Sequence, residues 1–307
     1  VKETRQAMEG LIHDLNIMNS RSGNQVPFSS INFGTDISPE GRCVIKAFLE
    51  AVDNGVGNDN KTAIFPISIF KVKAGINRNS EDKNYDLFKF AQKVTSKRFF
   101  PNFINLDTAF NYNEKWDIND PNRWYYEPST MGCRTRVYEN RHGEKSSVGR
   151  GNASFTSINI VRLALKAMKS KKTIEERKEV FFAEMDKIMS LTANQLVERW
   201  EWQKTALAKQ FPYVMKYLAE YNEGIKSSDK VENIIKHFTL SIGFIGLAEA
   251  LVALTSTIDS EGNYVKGVHH GESDEAQALG IEIVRHMHLK CKEFSEKYDL
   301  NFGLIAT

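Results

Sequence analysis

Met131-Gly132-Cys133-Arg134-Thr135-Arg136-Val137 sets a cysteine between a glycine and an arginine. Neither a helical nor a strand period runs through its surroundings. Residues 111–130 upstream and 139–152 downstream are polar, and a clear strand follows only after them. The thiol is therefore expected on a long connection between two ordered halves, and such connections are uncommon inside compact domains and usually functional. Gly132 lets the backbone turn sharply or approach a ligand closely. Arg134 and Arg136 would favour a thiolate or an anionic substrate nearby.

Outward from this connection, strands and helices alternate. Before it, a helix is predicted over residues 4–19, with Met8, Leu11, Leu15 and Met18 on one face. A strand follows at 26–33. Ser38-Pro39-Glu40 then starts a helix with a cap, a proline in the first turn and an early acid, and Gly55 ends it. A nearly all-apolar strand is expected at 63–72, with Pro66 marking a bulge or an irregular edge. The helix Tyr85–Arg98 and a strand at 102–106 complete this half.

Beyond the cysteine come a strand at 154–160, a helix through Leu163, Leu165 and Met168, and a helical stretch at 174–210. A strand at 238–245 runs through Gly246 into a helix at 247–254. The helix Asp274–Tyr298 and a strand at 302–306 close the chain. Six strands separated by helices imply a mainly parallel sheet or a barrel with helices outside. Functional loops of a barrel lie at the carboxyl ends of its strands. The cysteine loop follows the third strand and is expected on or inside that end. No clean linker divides the chain.

Apolar residues make up 41% and charged residues 26% of the 307, the balance of a soluble globular protein. A net charge of +2 gives no reason to expect a nucleic-acid groove or an anionic membrane surface as partner. No apolar run reaches the length of a bilayer span, and no signal peptide opens the chain. Cys43, Cys133 and Cys291 are too few and too scattered for a disulfide framework or a zinc site, so a reducing, cytoplasmic setting is expected. Val1 opens the chain inside charged helical sequence and Thr307 closes it at the end of an apolar strand; both ends read as cut.

Other motifs weigh less. Gly149-Arg150-Gly151-Asn152 precedes a strand rather than opening a helix, so it fails the dinucleotide fingerprint. Gly243-Phe244-Ile245-Gly246 does join a strand to a helix. The amides after Gly246 could hold a phosphate, but close packing of helix on strand is the favoured reading. His269-His270 with Glu272 and Asp274 has no second cluster to complete a metal site, and no metal is expected. His13 and His237 are lone histidines in regular elements. Cys43 reads as a small buried hydrophobe, and Trp124-Tyr125-Tyr126 as a packing anchor for the cysteine loop.

Several segments resemble one family, the anaerobic (class III) ribonucleoside-triphosphate reductases. They are Pro27-Phe28-Ser29-Ser30-Ile31-Asn32-Phe33-Gly34-Thr35, Phe65-Pro66-Ile67-Ser68-Ile69-Phe70-Lys71, Asn84-Tyr85-Asp86-Leu87-Phe88, Ser96-Lys97-Arg98 and Phe100-Pro101-Asn102-Phe103. After them come Met131-Gly132-Cys133-Arg134, Gly149-Arg150-Gly151-Asn152, Ser157-Ile158-Asn159 and Ile242-Gly243-Phe244-Ile245-Gly246-Leu247-Ala248-Glu249. The resemblance keeps the family's order and spacing over nearly the whole chain.

It implies a ten-stranded glycyl-radical-enzyme-type α/β barrel, incomplete here, with an internal finger loop at about 128–138. Cys133 at the tip would become a thiyl radical and take the hydrogen from the ribose 3′ carbon, for reduction of ribonucleoside triphosphates to deoxyribonucleotides in DNA synthesis. Asn152 matches a family residue near the ribose and would hydrogen-bond a substrate hydroxyl. Gly132, Arg134, Ser29, Ser30 and Gly246 are the further substrate-binding candidates.

The implied cofactors of the full-length enzyme are a glycyl radical, a structural zinc, formate as reductant and nucleotide effectors such as ATP. The implied partners are an iron–sulfur activating enzyme that uses S-adenosylmethionine and a second copy in a homodimer. The family's regulatory cone, its early strands with a second cysteine, and its glycyl-radical and zinc tail have no counterpart in this sequence. The chain alone is thus expected to reduce no nucleotide, to bind no cofactor, and to associate through exposed edges. Two alternatives stand beside this reading. One is a glycyl-radical enzyme of the pyruvate formate-lyase type, against which the single tip cysteine argues; the other is a non-catalytic nucleotide-binding domain.

Overall fold

A computed structural model describes residues 1–133, 135–218, 221 and 224–306. The chain forms two compact units, Val1–Tyr138 with Lys145–Ser147 and Glu139–Glu144 with Val148–Thr307.

The first unit runs α1 (Lys2–Ile17), β1 (Ser30–Phe33), α2 (Pro39–Asn54), β2 (Ile67–Val72), α3 (Tyr85–Arg98), β3 (Asn102–Asn105), then β4 (Ser129–Met131) and β5 (Thr135–Val137). β1, β2 and β3 form a parallel sheet in that order, with Ser30 beside Ile67 and Ile69 beside Asn102. The Ser38 hydroxyl caps α2 by accepting from the Gly41 amide at 3.0 Å. At its other end Gly55 has φ +78°, and Arg98 donates to the carbonyls of Asp53 and Asn54. Phe48, Leu49 and Val52 of α2 bury against Phe70 of β2, Ala91 and Val94 of α3 and Ile12 of α1. Ile31 and Phe33 pack on this core, so the pleat turns Ser30 and Asn32 to the opposite face of the sheet.

The second unit runs β6 (Asn152–Asn159), α4 (Ile160–Ser170), α5 (Ile174–Gln203), α6 (Glu232–Ile235), β7 (Thr239–Ile245) and α7 (Leu247–Thr255). The small hairpin β8 (Thr257–Ile258) and β9 (Tyr264–Val265) precedes α8 (Asp274–Tyr298) and β10 (Asn301–Ala306). Its sheet is again parallel, in the order β10-β7-β6. Thr173 and Glu176 form a capping box at the start of α5. One turn on, buried Arg177 donates to the carbonyls of Lys171 and Ser256, tying α5 to the end of α7. Phe181, Met185, Met189 and Leu196 of α5 meet Leu240 and Ile242 of β7 and Ile283 and Met287 of α8 in the core.

The architecture is mixed α/β, built on two three-stranded parallel sheets, with no closed barrel among the described residues. The six expected strands are these six sheet strands. Two of them are shorter than expected: β1 starts at Ser30, and β2 starts at Ile67, just after Pro66, which cannot donate to a ladder. The long helical stretch stops at Gln203. Both hairpins are additions that the periodicity does not reveal.

Candidate functional site

The cysteine connection ends in an antiparallel hairpin. Ser129 pairs with Val137, Thr130 with Arg136 and Met131 with Thr135, so Gly132 and Cys133 lie in its turn. Arg134 lies outside the described residues. Gly132 has φ +62°, a left-handed conformation natural to glycine, and a Cβ there would stand 3.0 Å from the Phe28 ring. Cys133 is exposed.

The hairpin is laid on the polar face of β1. Asn32 Nδ2 donates to the Thr130 carbonyl at 3.0 Å, and the Thr130 amide donates back to Asn32 Oδ1 at 3.0 Å. The Gly132 amide donates to Ser30 Oγ at 3.2 Å. Moving from Ser30 to Asn32, the partners move from Gly132 back to Thr130, so the hairpin runs antiparallel to β1. The connection leaves the sheet at the carboxyl end of β3, but its tip returns to the amino end of β1. The cysteine is therefore not at the carboxyl ends of the strands, as the order of elements suggests. Ser29 Oγ and Thr130 Oγ1 are buried and have no hydrogen-bond partner among the described residues. Cys133, Gly132, Ser29 and Ser30 are thus gathered at one place in the first unit.

The base of the hairpin is fixed by charge. Glu127, 2% exposed, accepts from Lys71 Nζ at 3.1 Å, Thr35 Oγ1 at 2.9 Å and Trp116 Nε1 at 3.2 Å. Arg136 donates to Asn111 Oδ1 and to the Phe110 carbonyl, both at 2.7 Å, and lies over the Phe110 and Tyr138 rings. Its guanidinium braces the connection. The Tyr125 and Tyr126 carbonyls accept from the hydroxyls of Ser146 and Tyr138. Trp124 is exposed while Tyr125 and Tyr126 are half-buried, and these hydrogen bonds to the backbone add to the anchoring expected of the aromatic group.

The other two cysteines sit differently. Cys291 is buried in α8, and burial pushes its thiol up to about 12. Cys43, in α2, is only half-buried, more open than the small hydrophobe expected there.

Asn152 and Gly246 belong to the second unit, at opposite ends of its sheet. Asn152 opens β6 beside Thr239. Oriented so that its amide nitrogen faces acceptors, it donates to the Thr239 carbonyl at 2.8 Å and to Ser241 Oγ and the Ser154 carbonyl at 3.1 Å. It lines a cavity of about 500 Å³. Gly246 precedes α7 with φ +85°, and a Cβ there would fall 2.1 Å from Val161 Cγ2. This contact supplies a packing reason for the glycine at the strand–helix junction.

The sequence reading missed the Asn32 clamp and Glu127. The alternation Ser30-Ile31-Asn32-Phe33 did carry a signal, since it puts two polar side chains on one face of a buried strand.

Parallel sheets flanked by helices, with an exposed thiol in a clamped hairpin, describe a mixed α/β protein. The family model for anaerobic ribonucleoside-triphosphate reductase matches residues 1–307, and the chain belongs to that family. The whole chain is 28% identical to the anaerobic ribonucleoside-triphosphate reductase of Escherichia coli (strain K12) and covers 40% of it. It is 26% identical to that of Enterobacteria phage T4 and covers 46% of it. The chain thus spans less than half the length of these relatives. The crystal structure of the anaerobic ribonucleotide reductase from Thermotoga maritima with citrate in the active site superposes with a TM-score of 0.61 at 13% identity, over 99% of this chain and 49% of that one. That likeness is one of fold.

Proposed function

We propose that this chain is the thiol-bearing part of an enzyme that reduces ribonucleoside triphosphates to 2′-deoxyribonucleotides. The hairpin Ser129–Val137 is its finger loop, and the fold of the whole enzyme is a ten-stranded α/β barrel, incomplete in this chain. The observation that carries the reading is the full-length family match together with the position of Cys133 in the turn between Met131 and Thr135.

In the complete enzyme Cys133 would first give its thiol hydrogen to a glycyl radical: its S–H bond breaks, a glycine C–H bond forms, and a thiyl is left. Cys133 then takes a hydrogen atom from the ribose 3′ carbon: the C–H bond breaks and an S–H bond forms. Such a transfer needs the sulfur in near-contact with that carbon, so the residues around the turn act by positioning. Ser30 and Asn32 fix the backbone that leads into it. The orphan Ser29 hydroxyl, Gly132 and Arg134 are the further substrate contacts of this proposal. Asn152 offers its amide to a ribose hydroxyl. Formate as reductant, nucleotide effectors, a structural zinc, an iron–sulfur activating partner and a homodimer belong to the same proposal for the whole enzyme.

The test is Cys133→Ser in the complete enzyme, supplied with activating enzyme and formate. A hydroxyl hydrogen is far harder to abstract than a thiol hydrogen, so deoxynucleotide formation should fall below detection while nucleotide binding stays within about twofold. Cys43→Ser and Cys291→Ser should retain turnover where they fold. Deoxynucleotide made by the Cys133→Ser enzyme would end the proposal.

A further inference from the structure

The cavity that Asn152 lines also holds a cation whose hydrogen-bonding capacity is largely unused. Arg150 follows Gly149, and its Nη2 donates to the Glu139 carbonyl and to Thr239 Oγ1. Its Nε and Nη1 are buried and have no partner among the described residues. A guanidinium carries five N–H bonds in a rigid fork, so most of this one faces no acceptor. Burial pulls Arg150 down to about 10, with the nearby Tyr221 and Glu139 side chains opposing. It remains a cation at neutral pH.

The rest of the wall is mostly apolar, with Trp202, Phe211 and Phe238 among its side chains. Gln203 also lines it; its Nε2 donates to the Ala153 carbonyl, and its Oε1 is a second buried atom without a partner. The volume, about 500 Å³, is in the range that holds small organic molecules. A buried donor left unsatisfied costs stability, and a charged one in an apolar recess attracts an acceptor of opposite charge.

We propose that this cavity binds an organic anion, an apolar body ending in a carboxylate or a phosphate, with Arg150 holding the anionic group and the aromatic wall the body. The site is defined within the second unit. The argument for it uses only the cavity's own residues and does not depend on the role proposed for Cys133.

The 307-residue chain can be titrated calorimetrically with 4-phenylbutanoate, 3-phenylpropyl phosphate and the neutral 4-phenylbutanamide. At least one anion should bind about tenfold or more tighter than the amide, as a charge-assisted hydrogen bond in a buried site requires. Which anion does so separates a carboxylate from a phosphate ligand. Arg150→Gln should bring that anion to within about twofold of the amide, and Arg150→Lys should recover part of the preference. Phe211→Ala, at a partly exposed wall position, should weaken all three probes while preserving their ratio. Equal binding of anions and amide by the unsubstituted chain would overturn the site, and that comparison needs no variant to fold. A preference that survives Arg150→Gln, or affinities untouched by Phe211→Ala, would overturn it as well.

Discussion

Asn32 in β1 and Thr130 in β4, 98 residues apart, exchange two hydrogen bonds of 3.0 Å, so a side-chain amide takes the place of a strand neighbour. This clamp sets where the cysteine turn lies. Asn32→Leu keeps the bulk but leaves the Thr130 amide and carbonyl without their partner. Each unpaired, partly buried group costs about 1 kcal/mol or more. The expected loss is about 2 kcal/mol in urea unfolding of the chain. Asn32→Asp can still accept from the Thr130 amide but cannot donate to its carbonyl. It should cost less than Asn32→Leu, and the reverse order would remove the clamp from the account.

The three thiols should separate by reactivity. Alkylation needs an accessible thiolate. Cys133 is exposed, Cys43 half-buried and Cys291 buried with its thiol pushed up to about 12. Iodoacetamide at pH 8, followed by peptide mass mapping, should label Cys133 first, Cys43 more slowly and Cys291 only on unfolding. Early modification of Cys291 in the folded chain would contradict its packing in α8.

Lys71 and Glu127 form a buried pair, 8% and 1% exposed at their side chains, at the base of the hairpin. Losing one member of such a pair leaves a buried charge uncompensated, at a cost of about 3–5 kcal/mol. Lys71→Met alone should show a loss of that size. Lys71→Met with Glu127→Gln should lose less, because the glutamine oxygen still accepts from Trp116, its amide nitrogen can donate to the Thr35 hydroxyl, and no charge remains to be paired. Urea unfolding of the two single variants and the double gives the coupling directly. Strict additivity would mean that the pair does not act as a unit.

Part of this was legible in the sequence. The helices Tyr85–Arg98 and Asp274–Tyr298 match expectation at both ends, because local chemistry marks them: Ser273 caps the second, accepting from the Ala276 amide, and left-handed residues Phe99 and Asp299 end the two. The strand β2 was legible from its nearly all-apolar run. The hairpin was not, because strands of three residues, Ser129–Met131 and Thr135–Val137, are too short to show alternation. Its direction along β1 depends on Asn32, far away in the chain. Arg150 was read only as part of a failed glycine motif; its place in a cavity depends on α5, α6 and the approach to β7, which no local pattern announces.

His237 ties stability to pH. It is 3% exposed, its ring stacks on Tyr221 with centroids 3.6 Å apart, and its Nδ1 lies 3.0 Å from Asn140 Nδ2. Burial, and then the positive charges of Lys236, His142 and Arg150, hold it down to about 4. An unfolded histidine titrates near 6.5, about 2.5 units higher. Between those values the unfolded chain binds the extra proton, so falling pH favours unfolding. The contribution is complete above about pH 6.5, declines as the pH drops toward 4, and is constant below that. Its size is at most about 3 kcal/mol. His237→Phe keeps an aromatic ring against Tyr221 and removes the titration. Plotted as the difference between the unsubstituted chain and the variant, stability from urea unfolding should slope only between pH 6.5 and 4, with the unsubstituted chain losing more on acidification. A flat difference across that interval would mean that His237 takes up its proton as readily in the folded chain as in the unfolded one.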